Sequence, residues 1–190
     1  MIANYHTHTT RCHHAEGEDR QYVETAIERG LQILGFSDHT PYYYDGDYVS
    51  GVRMLPEEVE GYVESIQKLK DEYKSQIEIK LGFETEYYPK YFEKLLQLYA
   101  QYPVDYIKIP HHGSKSASFL PDKMRGLNLL APDIAATSLF LIHSLPEEQV
   151  LAKYDNWGCG EIYLTGNMEK GKDTVGYGIV KTTFDILEQN

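Results

Sequence analysis

The 190-residue chain carries 29 acidic against 18 basic side chains, a formal net charge of −11. A balance this acidic disfavours sequence-independent binding of nucleic acid, which leans on Lys and Arg to neutralise phosphates. It leaves room for a small anionic substrate where a bound divalent cation reverses the charge locally. With 42% hydrophobic and 25% charged residues, the composition is that of a globular chain long enough for one domain, 1–190, with a proper core.

Apolar Met1-Ile2-Ala3 suits the end of a buried strand, and Asn4-Tyr5-His6-Thr7-His8 follows, then Cys12-His13-His14. Five of the eight histidines fall within the first 39 residues, the fifth in Ser37-Asp38-His39. On an extended strand His6 and His8, two positions apart, point to one face and can reach one ion. Neutral imidazole is the commonest side-chain ligand for zinc and its neighbours. From Glu18 to Arg29 the spacing predicts a helix with Tyr22, Val23, Ala26 and Ile27 on one stripe and Gly30 as its stop. Leu31 to Phe36 is a short apolar run suited to a buried strand.

Thr40 to Leu55 is a long tyrosine-rich loop, whose aromatic residues suit either a pocket wall or a solvated flap. Pro56 opens a second helix with Val59, Tyr62, Val63, Ile66, Leu69 and Tyr73 at helical spacing. Ile77 to Phe83 is a third strand, followed by Glu84, and Tyr91 to Tyr102 is helical. Val104 to Ile109 is a fourth strand, ending at Pro110-His111-His112-Gly113-Ser114. Ile134 to Ile142 is a strand leading to His143, Glu147 to Tyr154 a helix, and Glu161 to Leu164 a strand. No apolar run approaches the roughly 18 residues that cross a bilayer. The amino terminus also lacks a signal-peptide pattern, so a cytoplasmic protein without a membrane partner is expected. Cys12 and Cys159 form no framework, which suits a reducing compartment.

Strands alternating with helices predict a parallel α/β sheet or barrel. His6, His8, Asp38, His39, Glu84, His112 and His143 all fall at or just past strand carboxyl ends, the face where such folds assemble their sites.

Together these motifs resemble the PHP (polymerase and histidinol phosphatase) family, most closely its stand-alone histidinol-phosphate phosphatases. The matching stretches are Tyr5-His6-Thr7-His8-Thr9 with Cys12-His13-His14-Ala15-Glu16-Gly17, and Gly35-Phe36-Ser37-Asp38-His39-Thr40-Pro41. Arg53-Met54, Leu81-Gly82-Phe83-Glu84-Thr85-Glu86-Tyr87 and Val104-Asp105-Tyr106-Ile107 complete the set, over about residues 1–107. The resemblance implies a distorted (β/α)7 TIM-like barrel holding up to three divalent metal ions. It implies that His6 and His8 bind one metal, that Glu84 bridges two, and that His14 and His39 serve the others. Asp38 stands nearby as a ligand or an orienting group, and His112 and His143 match further ligands. Mixed His and carboxylate ligation suits Zn, Mn or Fe better than Mg.

Beyond about residue 107 the chain departs from this pattern and is short for a full barrel, so the carboxyl-terminal part is altered or incomplete by comparison. Lys108-Ile109-Pro110-His111-His112-Gly113-Ser114-Lys115 is similar instead to the carboxyl-terminal part of metallo-β-lactamase-fold hydrolases. The His-x-His-x-Asp-His hallmark of that fold is absent from the chain. Gly166-Asn167-Met168-Glu169 stands where the PHP family has Ser-Asp-Ala-His.

The implied reaction is hydrolysis of a small phosphate monoester, L-histidinol phosphate by the resemblance, through metal-activated water. Glu84, His39 and Asp38 are the candidates for catalytic roles. Arg53 is the candidate phosphate contact, because a guanidinium fork matches phosphate geometry. Two other readings stay open: a different metal-dependent hydrolase (a phosphodiesterase, a nuclease or a metallo-β-lactamase-like enzyme), or a metal-binding relic without turnover.

Overall fold

A computed structural model describes residues 3–86, 88–110, 134–138, 148–158, 161–166 and 178–182. Strands β1 (Ala3–Thr7), β2 (Ile33–His39), β3 (Glu78–Glu84), β4 (Tyr106–Lys108), β5 (Ile134–Ser138), β6 (Glu161–Gly166) and β7 (Gly178–Thr182) form one seven-stranded sheet in sequence order. The first six run parallel; β7 returns antiparallel to β6. Although β5 and β6 stand four and five places from β1 in that order, β1 comes within 8 Å of both. The sheet is therefore curled into a half-barrel, an α/β architecture with its parallel strands wrapped around a concave face.

Helices α1 (Asp19–Glu28), α2 (Val59–Tyr73), α3 (Phe92–Gln101) and α4 (Glu148–Trp157) alternate with the strands as the sequence predicts. Alternation along the strands explains the layering. Leu34 and Phe36 of β2 and Ile79, Leu81 and Phe83 of β3 face the helices. They join Val23, Ala26, Tyr62, Ile66 and Leu69 in the main core. Helix α1 ends where Gly30 takes φ +71, a left-handed turn that costs a side-chain-bearing residue more. Tyr62 ties α2 to β3 by donating its hydroxyl to Gly82 O at 2.9 Å. Asp105 anchors β3 ahead of β4: its carboxylate accepts from Leu81 N at 2.6 Å and from Lys70 Nζ at 2.7 Å.

The concave face has a smaller core of Ala3, Tyr5 and Tyr106, with Ile33 packed against it. Tyr106 crosses this face from β4, its hydroxyl 2.9 Å from Phe36 O and 3.2 Å from Tyr5 O. Its ring fills the space over Gly35 and Gly82, where a Cβ would stand 2.5 and 2.4 Å from its atoms. Two glycines and a tyrosine thus set how closely four strands can wrap.

The strands end differently from the sequence reading. β2 and β3 continue through Ser37-Asp38-His39 and Glu84, pairing His39 with Glu84 in register. β7 was not foreseen at all; of the strand expected over Ile134 to Ile142, Ile134–Ser138 is seen as β5 and positions 139–142 lie outside the described residues. Within the tyrosine-rich loop Tyr42 is buried and donates its hydroxyl to Glu86 O, while Tyr43, Tyr48, Val49 and Val52 are exposed. That loop is part wall and part surface. No helix among the described residues is long and apolar enough to cross a membrane.

Candidate metal centre

A β-bulge aims the first two histidines. Ala3 pairs with Ile33, but Thr7 pairs with Phe36, so β1 spends four steps where β2 spends three. Ile33 belongs to the concave cluster and Phe36 to the helix-side core. Thr7 consequently turns toward the helices, and His6 and His8 turn inward beside Tyr5. Asn4 holds the bulge: its Oδ1 accepts from His6 N at 2.8 Å and its Nδ2 donates to Thr7 Oγ1 at 3.2 Å. Such bulges recur beside active sites because they re-aim a side chain.

On the concave face His6 Nε2 lies 3.0 Å from His8 Nε2 and 3.1 Å from Glu84 Oε2; His8 Nε2 lies 3.5 Å from the same oxygen. Donors around a tetrahedral ion with ~2.0–2.1 Å bonds stand about 3.3–3.4 Å apart, so the three atoms stand close to, though not at, the separations that zinc requires. Their protonation states also suit ligation. Burial lowers His6 to about 4 against the pull of Glu84, leaving a neutral imidazole at neutral pH. Burial pushes Glu84 up, but hydrogen bonding from His6 and His8 and the charge of Lys108 outweigh it, holding the carboxylate well below its ordinary range.

His14 and His39 complete a second group around His8. The His8 and His39 rings stack with centroids 4.8 Å apart, and His14 lies 4.9 Å from His8 and 5.6 Å from His39. A 3-10 turn over Thr10–Cys12, followed by His13 at φ 60, brings His14 back to the site. His13 itself is exposed. His14 Nδ1 is fixed by Cys12 O at 2.6 Å. One donor atom from each of His6, His8 and Glu84 lies within 4.8 Å of the others, and the same holds for His8, His14 and His39, and for His8, Cys12 and Asp38. His8 Nδ1 is buried and makes no hydrogen bond among the described residues.

Two buried carboxylates support these groups from behind. Thr9 donates both its N–H and its hydroxyl to Asp38, whose Oδ1 is 3.9 Å from His8 Nδ1. Glu86 places Oε1 3.3 Å from His39 Nδ1 and Oε2 2.9 Å from Arg53 Nη1. Burial raises Glu86, yet His39 and Arg53 pull it back and leave it below its ordinary value. Arg53, expected to face a phosphate, is 5% exposed and also donates to Thr40 O at 3.1 Å, with its guanidinium over the Tyr42 and Tyr88 rings. In this state it touches the centre through Glu86.

Three contributors escaped the sequence reading: Asn4, Glu86 and Lys108. Glu86 stands in the same Glu84-Thr85-Glu86 motif as the expected ligand, a signal that could have marked it. Lys108 is fully buried, 3.6 Å from Glu84 Oε1, with Nζ donating to Ile109 O at 2.8 Å. Burial pushes this lysine down and Glu84 pulls it back up, with a net value below the ordinary one. His112 and His143 lie outside the described residues, as do Asn167 and Glu169. A cleft of about 590 Å³ runs from His6, His8 and His14 along α1, past Tyr22, to Arg29. Its size is that of a small-molecule site.

The family model described as PHP domain matches residues 4–167 of this chain. The match runs across position 107, so the likeness of the later residues to metallo-β-lactamase-fold hydrolases finds no support. A probable histidinol-phosphatase of Deinococcus radiodurans is 33% identical over 103 residues, 52% of this chain and 38% of its own length. The histidinol-phosphatase of Bacillus subtilis is 30% identical over 122 residues, 60% of this chain and 46% of its own. The chain thus spans less than half the length of these relatives. Among solved structures, the histidinol phosphate phosphatase of Lactococcus lactis, complexed with zinc, L-histidinol and phosphate, superposes with a TM-score of 0.54. That likeness covers 86% of this chain and 84% of the other at 17% identity, a likeness of fold.

Proposed function

The chain belongs to the PHP domain family, and from that footing we propose that it is a metal-dependent phosphatase hydrolysing a small phosphate monoester, L-histidinol phosphate first among them. One observation carries the reading: five ligand-type side chains from three neighbouring strand ends and one turn converge on the concave face, with donor separations that suit zinc. The named substrate is that of the similar proteins in Bacillus subtilis and Lactococcus lactis.

His6, His8 and Glu84 would hold one ion, and His14 and His39 would contribute ligands to another. When bound, such ions bring the pKa of water toward roughly 7 and neutralise phosphoryl oxygens, the two needs of phosphate ester hydrolysis. The chain's own residues do the rest. His6 stays neutral and Glu84 ionised, so both present lone pairs without first releasing a proton. Glu86 sits against the imidazole of His39, as carboxylates that orient metal-binding histidines do, whereas Asp38 is hydrogen-bonded to Thr9 and reaches His8 only by its charge, 3.9 Å away. Arg53 keeps its Nη1 on Glu86 and Thr40 O, so a phosphate contact from it would use its remaining donors or displace Glu86. His112 and His143 are further ligands in this proposal, and residues beyond 110 complete a distorted (β/α)7 barrel within one domain. Zinc, manganese and iron all suit the donor set.

The test is elemental analysis and phosphate release from L-histidinol phosphate by the wild-type chain and by a His6→Ala/His8→Ala double variant. The double variant should lose bound metal and turnover together. Unchanged metal content in it would defeat the assignment, and cleavage of phosphodiesters without monoesters would move the chain to another hydrolase class.

A further inference from the structure

Glu84 and Lys108 are register partners on neighbouring parallel strands, so their side chains rise side by side from the concave face. The carboxylate is divided between two kinds of neighbour. Oε2 faces the imidazoles of His6 and His8 at 3.1 and 3.5 Å, while Oε1 faces Lys108 Nζ at 3.6 Å. A carboxylate that bridges two metal ions offers one oxygen to each. Here the second oxygen already has a cation, supplied by the chain.

That cation is built in. Lys108 is fully buried, and its Nζ is tethered to Ile109 O at 2.8 Å. A lysine ammonium carries three donors and no acceptor, so it satisfies Oε1 but cannot ligate an ion. A divalent ion brought to Oε1 would meet a like charge at close range, with little water between to screen it.

We propose that Lys108 takes the place of one of the divalent ions that Glu84 would otherwise bridge, so that Glu84 ligates through Oε2 alone and the centre holds at most two ions. The proposal rests on the reading of the cluster as a metal centre. It assigns Lys108 a role in setting metal stoichiometry, acting through Glu84.

The experiment counts zinc on the 190-residue chain after saturation and desalting, by elemental analysis and native mass spectrometry. Wild type should retain one or two ions per chain, and Lys108→Arg, which keeps the charge, should match it. Lys108→Met and Lys108→Gln, which remove the charge and keep most of the stem, should each retain one ion more. Folded neutral variants with the wild-type count would overturn the proposal. If both neutral variants fail to fold, wild type decides: three ions overturn the proposal, and one or two uphold it. A wild-type chain that retains no zinc overturns the metal centre as well, whereas three ions overturn this inference alone.

Discussion

The ring of Tyr106 lies so close over Gly82 that a methyl group on that glycine would stand 2.4 Å from Tyr106 Cε1. The neighbouring strand repeats the arrangement at Gly35, where the added carbon would meet the tyrosine hydroxyl at 2.5 Å and Tyr5 Cδ1 at 2.9 Å. Tyr106 is fully buried and hydrogen-bonded to two main-chain oxygens, so it has nowhere to retreat.

Gly82→Ala should therefore destabilise the fold by about 1–3 kcal/mol, the usual range for overpacking a filled core. Urea denaturation provides the measurement. Pairing the change with Tyr106→Leu should recover part of the loss, and an unperturbed Gly82→Ala midpoint would mean that the ring is not confined.

Asn4→Ala should weaken metal retention without abolishing it. The side chain bonds to His6 N and Thr7 Oγ1 and so holds the bulge that turns His6 and His8 inward. Partners behind the ligands typically matter about 10–100-fold in affinity. Chelator competition should place the variant in that range, with Asn4→Asp, which keeps the acceptor for His6 N, nearer to wild type.

Glu86→Gln should cost about 3–5 kcal/mol, because it leaves the buried Arg53 guanidinium without its carboxylate. Adding Arg53→Met should restore much of the stability, since the uncompensated charge goes with it. A double variant no more stable than Glu86→Gln alone would show that the pair is not the source.

The metal-free protein should lose stability as pH falls from 7 to 5. Burial lowers His6 to about 4, against 6.5 in the unfolded chain. Between these values the unfolded chain takes up a proton that the folded one refuses, so stability falls with pH through this window and is full above it. Glu84, held well below its ordinary value of 4.5, adds a loss of the same sign only at lower pH. Melting curves in chelator at pH 7, 6 and 5 should show the decline, smaller in His6→Asn.

Much of this was legible in the residues. Apolar stripes at Val59, Tyr62, Ile66 and Leu69 gave α2 within a few residues, and the runs at Leu34 and Leu81 marked two central strands. His6, His8, His39 and Glu84 stand out by type and position and His14 by the family resemblance, and the fold brings all five together. What the residues could not reveal depends on pairing between distant segments. The ladder carries Asp38 and His39 inside β2, although polar residues after an apolar run look like the start of a loop. The bulge at Asn4 follows from side-chain hydrogen bonds that a period of two cannot represent. Arg53 looked free to greet a phosphate because Glu86, its partner, stands 33 positions away. Lys108 meets Glu84 only through the β3–β4 register.

The in-register pairing of His39 with Glu84 has a last consequence, for exchange. Because these donors ride on a continuous hydrogen-bonded ladder, folding itself sets their positions, and little ordering remains for a cation to impose on arrival. An ion withdrawn from the bowl would leave the cradle standing, ready for the next, so depletion and refilling can cycle on a chain that stays folded throughout.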